Sequence, residues 1–483
     1  MLFNSIEYLF FFPAVVILYF SIPDKWRWVP LLIASYFFYM CWKMEYVVLI
    51  MFTTLVDYFL GLKLAQQIRK KRKKIYLTLS IIVNLGMLAG FKYLNFFSES
   101  LNDILGLFNT GISTPVFNIL LPVGISFYIF QSLSYTIDIY RGIATAEKHL
   151  GKFALYVSFF PQLVAGPIER STSLLPQINK PRDFNEQRLV SGLKLMLWGF
   201  FKKLVIADRL GMFVDYVYNN PQQNAGVPIF LATVLFAFQI YGDFSGYTDI
   251  ARGSARVLGY DLMINFNRPF IAKSLRDFWN RWHISLTTWF RDYLLYSLPY
   301  IKNNKIIYAL LYLNIFLTFQ IMGLWHGATW TFVLFGTFNG IMLVLEIRTQ
   351  KIRNRVFEVT GINKNTRLRD IITTFSTFSI TVFSLYFFRA NTVSDSFLLI
   401  KNTFDFSTLK ESFYFMLKDN ELIFGILMVI LLLIAEHMHA KYNLVLKLAA
   451  KPTVIKWSVY LGFSFFVILF GVLNAQKFIY FQF

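Results

Sequence analysis

Long apolar runs separated by short polar connections dominate the pattern of this chain. Ten runs have a length close to that of a bilayer-spanning helix, at residues 5–22, 28–42, 45–62, 75–97, 117–139, 306–325, 328–346, 370–388, 421–437 and 456–476. A helix needs about 20 mostly apolar residues to cross the hydrocarbon core. The pattern therefore predicts an all-α polytopic membrane protein.

Two further apolar stretches are interrupted. Pro161, Gly166 and Pro167 break residues 151–170. This pattern predicts a re-entrant or interfacial segment buried within protein, because irregular backbone facing lipid would leave polar groups unsatisfied. Lys202 and Lys203 interrupt the second stretch before its apolar part reaches the length of a bilayer-spanning helix. We expect that stretch to lie flat or to kink at the membrane interface.

The most polar segment beside the apolar runs extends from Asn267 to Arg291. Wound as one helix at about 100° per residue, it carries one polar stripe and, roughly opposite, one aromatic stripe. The polar stripe consists of Arg276, Asn280, His283, Thr287 and Arg291, and the aromatic stripe of Phe278, Trp282, Trp289 and Tyr293. A helix lining a buried, wet cavity and an interfacial amphipathic helix both fit this pattern.

Composition excludes a soluble multidomain protein, since 56% of the 483 residues are hydrophobic and 19% are aromatic. The net charge of +20 comes from basic clusters in connections, so anionic lipid headgroups explain it better than nucleic acid does. Residues 63–74 hold seven basic residues and no acid, and they predict a cytoplasmic loop. Residues 348–369 form a second such loop, and both chain termini are then expected outside. The single cysteine, Cys41, excludes an intrachain disulfide and a cysteine-based metal site, and no metal is predicted.

Three groups of polar side chains are costly at membrane depth. The first is Gln131, Tyr135 and Asp138 on one helix face, and the second comprises Asp243, Asp249 and Arg252, in which Asp249 and Arg252 are one turn apart and can pair. We expect Asp138, Asp243, Asp249 and Arg252 to form a structural polar network. The third group is His283 and His326 with their neighbours.

His326 lies at the break between two apolar helices, with Gly323 and Gly327 on either side of the Trp325–His326 pair. A buried histidine can take a proton from a hydroxyl and return it to a leaving group, which acyl transfer to an alcohol requires. A purely structural role also fits each histidine taken alone. From the residues alone, a transporter with a proton relay is the first hypothesis and an acyltransferase the second.

Six strings in fixed order favour the second hypothesis. They are LPVGISFYIFQSLSYTIDIYR, FFPQLVAGPIER, FSGYTDIARGSARVLGY, NFNRPF, LRDFWNRWHISLTTWFRDYL and GLWHGATW. The chain resembles the membrane-bound O-acyltransferase (MBOAT) family, in detail over residues 115–350, and most closely its polysaccharide O-acetylation branch, which includes the bacterial alginate O-acetylase membrane subunit.

The resemblance implies the fold and the site. The fold would be a ring of about 11–13 helices, including re-entrant or interfacial segments, around a central funnel. The chain would divide into N-terminal helices at 1–114, a catalytic core at 115–350 and C-terminal helices at 351–483. His326 of the WHG motif would be the catalytic residue, and His283 would be a second catalytic residue. Arg276, Asn280, Arg291 and Trp325 are the predicted substrate-binding residues.

The resemblance also implies the reaction. An acetyl group would pass from a cytoplasmic thioester, acetyl-CoA or an acyl carrier, toward an extracytoplasmic polysaccharide, either an alginate-like exopolysaccharide or a wall polymer. No cofactor would stay bound, and the partner would be a periplasmic or surface transferase of the SGNH type. The protein would lie in the bacterial inner (cytoplasmic) membrane. Transfer of D-alanine from a carrier protein to a wall polymer, and a transporter or flippase of a polar lipid-linked substrate, are the alternatives.

Overall fold

The computed structural model of the protein describes residues 1–109, 111–117, 120–164, 166–298, 307–407, 409–473 and 478–479. Within these ranges the chain is helical and contains no β-strand, which confirms the all-α fold class. The α-helices of the described residues are α1 (Ile6–Ser21), α2 (Trp28–Met40), α3 (Val47–Gln66), α4 (Lys70–Leu88), α5 (Leu94–Leu107), α6 (Ile125–Arg141), α7 (Leu150–Ser158), α8 (Phe160–Leu163), α9 (Ser171–Ile178), α10 (Glu186–Phe200), α11 (Asp208–Asn219), α12 (Val227–Val257), α13 (Leu275–Trp279), α14 (Ile284–Trp289), α15 (Ile307–His326), α16 (Trp330–Arg348), α17 (Gln350–Val359), α18 (Thr366–Arg389), α19 (Val393–Asn402), α20 (Leu409–Lys418), α21 (Asn420–Tyr442), α22 (Leu444–Ala449) and α23 (Thr453–Phe470).

Short segments of other helical types join several of these helices. The π-helical segments are Ala89–Tyr93, Phe201–Ala207 and Phe290–Leu294, and the 3₁₀ segments are Asp24–Trp26, Met44–Tyr46, Pro269–Ile271, Leu295–Ser297 and Ile362–Lys364.

Eight helical stretches among the described residues are long and apolar enough to cross a membrane. They are Met44–Gln66, Lys70–Leu107, Val227–Val257, Tyr308–His326, Trp330–Arg348, Thr366–Arg389, Asn420–Tyr442 and Thr453–Phe470. Seven of the ten predicted spans coincide with one of these stretches. The predicted spans at 5–22 and 28–42 correspond to the shorter helices α1 and α2.

Several predicted boundaries are wrong. The predicted span at 117–139 begins as a helix only at Ile125, after Gly124 in a left-handed conformation with φ of 74°, and residues 118–119 lie outside the described ranges. The helix predicted over 456–476 begins earlier, at Thr453, and ends at Phe470, and residues 474–476 are likewise outside the described ranges.

The predicted polar loops are largely helical. Only residues 67–69 separate α3 from α4, so most of the basic run at 63–74 lies on the first turns of α4. Lysine and arginine are good helix formers, and their charge does not end a helix. Helix α17 lies within the second predicted basic loop, at 348–369.

The direction of the helices defines two ends of the bundle. The indole of Trp330, at the start of α16, donates to Ser100 Oγ on α5 at 3.2 Å, so α16 runs back toward the end at which α4 begins. Lys273 pairs with Asp370 of α18 at 2.7 Å at that same end. We call the end that holds the start of α4 and the α16–α18 connection the basic side, and the other end the opposite side.

The interrupted stretch at 151–170 is buried, as predicted for a segment enclosed by protein. Helix α7 is followed by the short α8, and every residue of 153–164 and 166–169 is buried. Glu169 fixes the end of this segment, because its Oε1 accepts a hydrogen bond from the backbone N–H of Met263 at 2.5 Å.

Lys202 and Lys203 lie inside the protein, and the position of their stretch at the membrane interface stays a prediction. They are buried on the π-helical segment Phe201–Ala207, which joins α10 to α11. Helix α10 packs against α12 at two pairs of glycines, and a Cβ on Gly199 would lie only 2.5 Å from the carbonyl oxygen of Gly246. Small residues at such a crossing let the two backbones approach closely, and this close contact brings the lysines to the carboxylates of α12.

Candidate active site

The segment from Asn267 to Arg291 is not the single helix that its periodicity predicts. It forms a 3₁₀ turn, α13, a break and α14. At the break, His283 adopts a left-handed conformation with φ of 42°. Asn265 explains why the break is stable, since its side-chain oxygen accepts from Ser285 N at 3.0 Å and its carbonyl accepts from Ile284 N at 2.9 Å. A tertiary partner thus satisfies the first N–H groups of α14, which lack intrahelical acceptors.

The predicted polar stripe is therefore divided. His283 is buried, whereas Arg276, Asn280 and Arg291 are exposed. Arg276 lies toward the basic side, because its backbone N–H donates to Glu346 near the end of α16 at 3.2 Å. The structure does not bring the three exposed side chains together with His283 on one helix face.

The imidazole of His283 lies among aromatic rings. Its centroid is 4.6 Å from that of Phe244, 6.3 Å from that of Phe127 and 5.8 Å from that of Trp325. Burial, and then the nearby His326, lower the pKa of His283 well below its ordinary value. His283 is therefore neutral at physiological pH, the state in which an imidazole can accept a hydrogen bond or a proton.

His326 is the last residue of α15, and the turn 327–329 connects it to α16. Its ring centroid lies 5.3 Å from that of Phe388 on α18 and 5.1 Å from that of Trp325. The predicted break at His326 is confirmed. Close packing explains why glycine occupies positions 323 and 327. A Cβ on Gly327 would lie 2.1 Å from the Phe332 ring, and one on Gly323 would lie 2.3 Å from the Phe332 carbonyl oxygen.

Trp325 connects the two histidines. Its ring contacts the imidazole of His283 and that of His326, its neighbour in sequence. The same ring also packs against Phe127 and Phe130 of α6. The residue is 3% exposed. Two histidines that are distant in sequence are thus held in one aromatic cluster.

Two cavities lie beside this cluster. The larger cavity, about 590 Å³ in volume, lies at the opposite side and is lined by the 327–329 turn, Lys92, Asp215, Arg389 and other residues. The smaller cavity, about 30 Å³, is lined by His326 together with Trp279, Trp282, Phe388 and further apolar residues. It holds about one water molecule as it stands. Phe388 lines both cavities and packs against His326.

The predicted structural polar groups all have partners. Gln131 Nε2 donates to the carbonyl of Tyr156 at 2.6 Å, Tyr135 Oη accepts from the backbone N–H of Glu147 at 3.1 Å, and Tyr293 Oη donates to Asp138 at 2.8 Å.

The predicted pair of Asp249 with Arg252 is confirmed at 3.3 Å. The sequence did not reveal that two lysines pair with these aspartates. Lys202 pairs with Asp249 at 2.5 Å, and Lys203 bridges Asp208 at 2.7 Å and Asp243 at 2.6 Å. Two charged residues in an apolar stretch were the available signal, because such residues mostly face the bundle interior and pair there.

Two residues near the histidines were also missed. Asn265 lies in the NFNRPF string and supports the break at His283, as described above. Lys92 is the only charged residue in the predicted span at 75–97, and its Nζ donates to the carbonyls of Trp325 and His326 at 2.5 and 3.2 Å. A lone lysine in an apolar span was the signal that could have identified it.

Nothing in the described ranges groups three or more His, Cys, Asp or Glu side chains as ligands of a metal ion. His437 and His439, near the end of α21, are exposed.

The fold and the site define a helical membrane protein in which a buried histidine, His326, lies beside two cavities. A sequence model of the membrane-bound O-acyltransferase family matches residues 147–388, which include both histidines and Phe388. Among curated proteins, the chain is 41% identical over 349 residues to a probable alginate O-acetylase of Azotobacter vinelandii, covering 72% of this chain and 68% of the relative. It is 37% identical over 411 residues to that of Pseudomonas aeruginosa, covering 84% and 76%.

A third relative, the peptidoglycan O-acetyltransferase of Helicobacter pylori, is 31% identical over 433 residues, covering 83% of this chain and 79% of the relative. The chain belongs to the membrane-bound O-acyltransferase family. It is an O-acyltransferase, and membership of this family favours the enzyme over the transporter and flippase hypotheses. The division at residues 114 and 350 stays a prediction.

Proposed function

We propose that this protein moves an acetyl group from a cytoplasmic thioester, acetyl-CoA or an acyl carrier, toward an extracytoplasmic polysaccharide. The observation that carries the proposal is the position of His326, which lines the smaller cavity and is followed directly by the turn 327–329 that lines the larger cavity. A group beside both cavities is placed where two substrates can be brought together. The acetylated polysaccharides and wall polymers named for the relatives support the acceptor class.

His326 is the general base of this proposal. Its imidazole takes the proton of the acceptor hydroxyl while the hydroxyl oxygen forms a bond to the thioester carbonyl carbon. The carbon–sulfur bond then breaks, and the same proton passes to the leaving thiolate. His283, neutral and on the other side of Trp325, orients the acyl group.

The two ends of the molecule have different proposed roles, one toward the donor and the other toward the acceptor. Arg276, Asn280 and Arg291 are exposed, Arg276 toward the basic side, and their side chains are available to the phosphates or carrier surface of the donor. The larger cavity at the opposite side has room for an acceptor, which we propose is a serine of an SGNH-type partner or a sugar hydroxyl. The positive-inside rule supports a cytoplasmic location for the basic side, in the inner membrane.

The test uses full-length protein in detergent, radiolabelled acetyl-CoA, and a candidate polysaccharide with its periplasmic partner. We expect wild-type protein to transfer label and His326→Ala to lose transfer while remaining folded. His437→Ala is the matched control, because it removes an exposed histidine from α21. Equal transfer by His326→Ala and wild type would contradict the role of His326. Transfer of D-alanine from a carrier protein, without transfer of acetyl, would favour the D-alanyl alternative.

A further inference from the structure

Lys92 lies on the π-helical segment Ala89–Tyr93, inside the 38-residue helical stretch Lys70–Leu107. A lysine within an apolar span is costly and is retained where it has polar partners or a function. Short π-helical segments are frequent at functional sites. The partners of Lys92 therefore indicate what the residue does.

Lys92 and its neighbour cap the end of the helix that carries His326. Lys92 Nζ donates to the carbonyl oxygens of Trp325 at 2.5 Å and His326 at 3.2 Å. Tyr93 Oη donates to the carbonyl oxygen of Leu324 at 2.9 Å. Three consecutive carbonyls of the last turn of α15 thus receive hydrogen bonds from two adjacent side chains. The last four carbonyls of a helix have no intrahelical donor, and a lysine side chain can satisfy them.

The same residue also borders the larger cavity. Lys92 lines that cavity together with Gly327 and Thr329 of the turn that follows His326. Lys92 thus contacts the backbone of the WHG motif and borders the space proposed above for the acceptor.

We propose that Lys92 is a positioning residue for His326: by holding the carbonyls of Trp325 and His326, it fixes the end of α15 and so the direction in which the imidazole meets the acceptor hydroxyl. The inference rests on the proposed function of His326. Tyr93 contributes to the same cap through Leu324 and is the lesser partner, because it holds a single carbonyl farther from the imidazole.

The first test is kinetic, with Lys92→Met, Lys92→Arg and Tyr93→Phe in full-length protein. Lys92→Met keeps the length of the side chain and removes its donors. We expect a fall in kcat of roughly 10- to 100-fold with KM for the donor unchanged, since small misplacements of a reacting group cost about that much. Lys92→Arg should recover a large part of the loss, and Tyr93→Phe should show a smaller loss. Lys194→Met and Tyr460→Phe are matched controls, because Lys194 Nζ lies 4.5 Å from the ring centroid of Tyr460, and neither residue lines either cavity.

The second test does not depend on the reaction. Hydrogen–deuterium exchange of the backbone amides at 324–331 should accelerate in Lys92→Met and remain near wild type in Lys92→Arg, while other helices exchange as before. Unchanged exchange in Lys92→Met would overturn the inference even if wild-type protein transferred no acetyl group. Full kcat in Lys92→Met would also overturn it. Faster exchange in Lys92→Met, with no His326-dependent transfer by wild type, would support the cap and contradict the proposed function.

Discussion

The ring centroids of His283 and Trp325 lie 5.8 Å apart, although the two residues come from segments that run in different parts of the fold. His283 is held at a break between two short helices, and Trp325 lies on the last turn of a long apolar helix. Their contact brings the two buried histidines of the protein into one site. The ring of Trp325 packs against both imidazoles.

Trp325→Ala should separate the histidines. We expect a loss of stability of about 3–5 kcal/mol, because a large buried aromatic side chain leaves a cavity when it is truncated, and a loss of most acetyl transfer. Trp325→Phe keeps a ring at the position and should retain measurable transfer. Thermal unfolding in detergent and radiolabel transfer measure the two effects. Equal transfer by the alanine and phenylalanine variants would contradict a role for ring packing.

His283 should make stability depend on pH. Its pKa is lowered in the folded state, mainly by burial, so the unfolded chain takes up a proton below about pH 6.5 while the folded protein does not. Stability from this group is therefore complete above about pH 6.5 and falls as the pH decreases below that value.

Unfolding temperatures measured between pH 7.5 and pH 5 should show this decrease in wild-type protein. The decrease should be smaller in His283→Gln, which removes the titrating group. The exposed His439 provides the control, since His439→Gln should leave the pH dependence unchanged. A His283→Gln profile that parallels wild type would show that another group titrates.

Gly323→Ala should disturb the contact between α15 and α16. A Cβ at this position would lie 2.3 Å from the carbonyl oxygen of Phe332 and 3.1 Å from Gly336, and backbone atoms cannot move aside cheaply. We expect less folded protein and lower transfer, measured by size-exclusion chromatography and the radiolabel assay. Gly86→Ala on α4 is the control, because nothing lies within 4 Å of a Cβ there. Normal folding of Gly323→Ala would contradict the close packing.

Lys203→Met should be strongly destabilising. The lysine is 1% exposed and pairs with both Asp208 and Asp243, so its removal leaves two buried carboxylates without their cation. Breaking a buried pair in this way typically costs about 3–5 kcal/mol.

Lys273→Met is the comparison for that experiment, since Lys273 and Asp370 form an exposed pair whose loss should cost about 0–1 kcal/mol. Thermal unfolding of the two variants, followed in parallel, gives the difference. Similar unfolding temperatures for both would contradict a stabilising role of the buried network.

The sequence by itself determined the all-α class, most of the spans and the break at His326. Apolar runs of spanning length leave a helix as the main solution for backbone hydrogen bonding in lipid, and the glycines around Trp325–His326 mark the end of α15. The pairing of Asp249 with Arg252 also followed from spacing alone, because both residues lie on one turn of one helix. Six ordered motifs were enough to indicate the family.

The tertiary structure decided the rest. Helical periodicity predicted one stripe from Arg276 to Arg291, but Asn265, brought in from another segment, stabilises a break that buries His283 and leaves the arginines exposed. The tertiary structure also decided the partners of three lysines. Lys202 and Lys203 have carboxylate partners that include residues on α12, and the partners of Lys92 lie on α15. A pattern along one segment cannot reveal a partner from another, since hydrogen bonds and ion pairs between helices depend on how the helices pack.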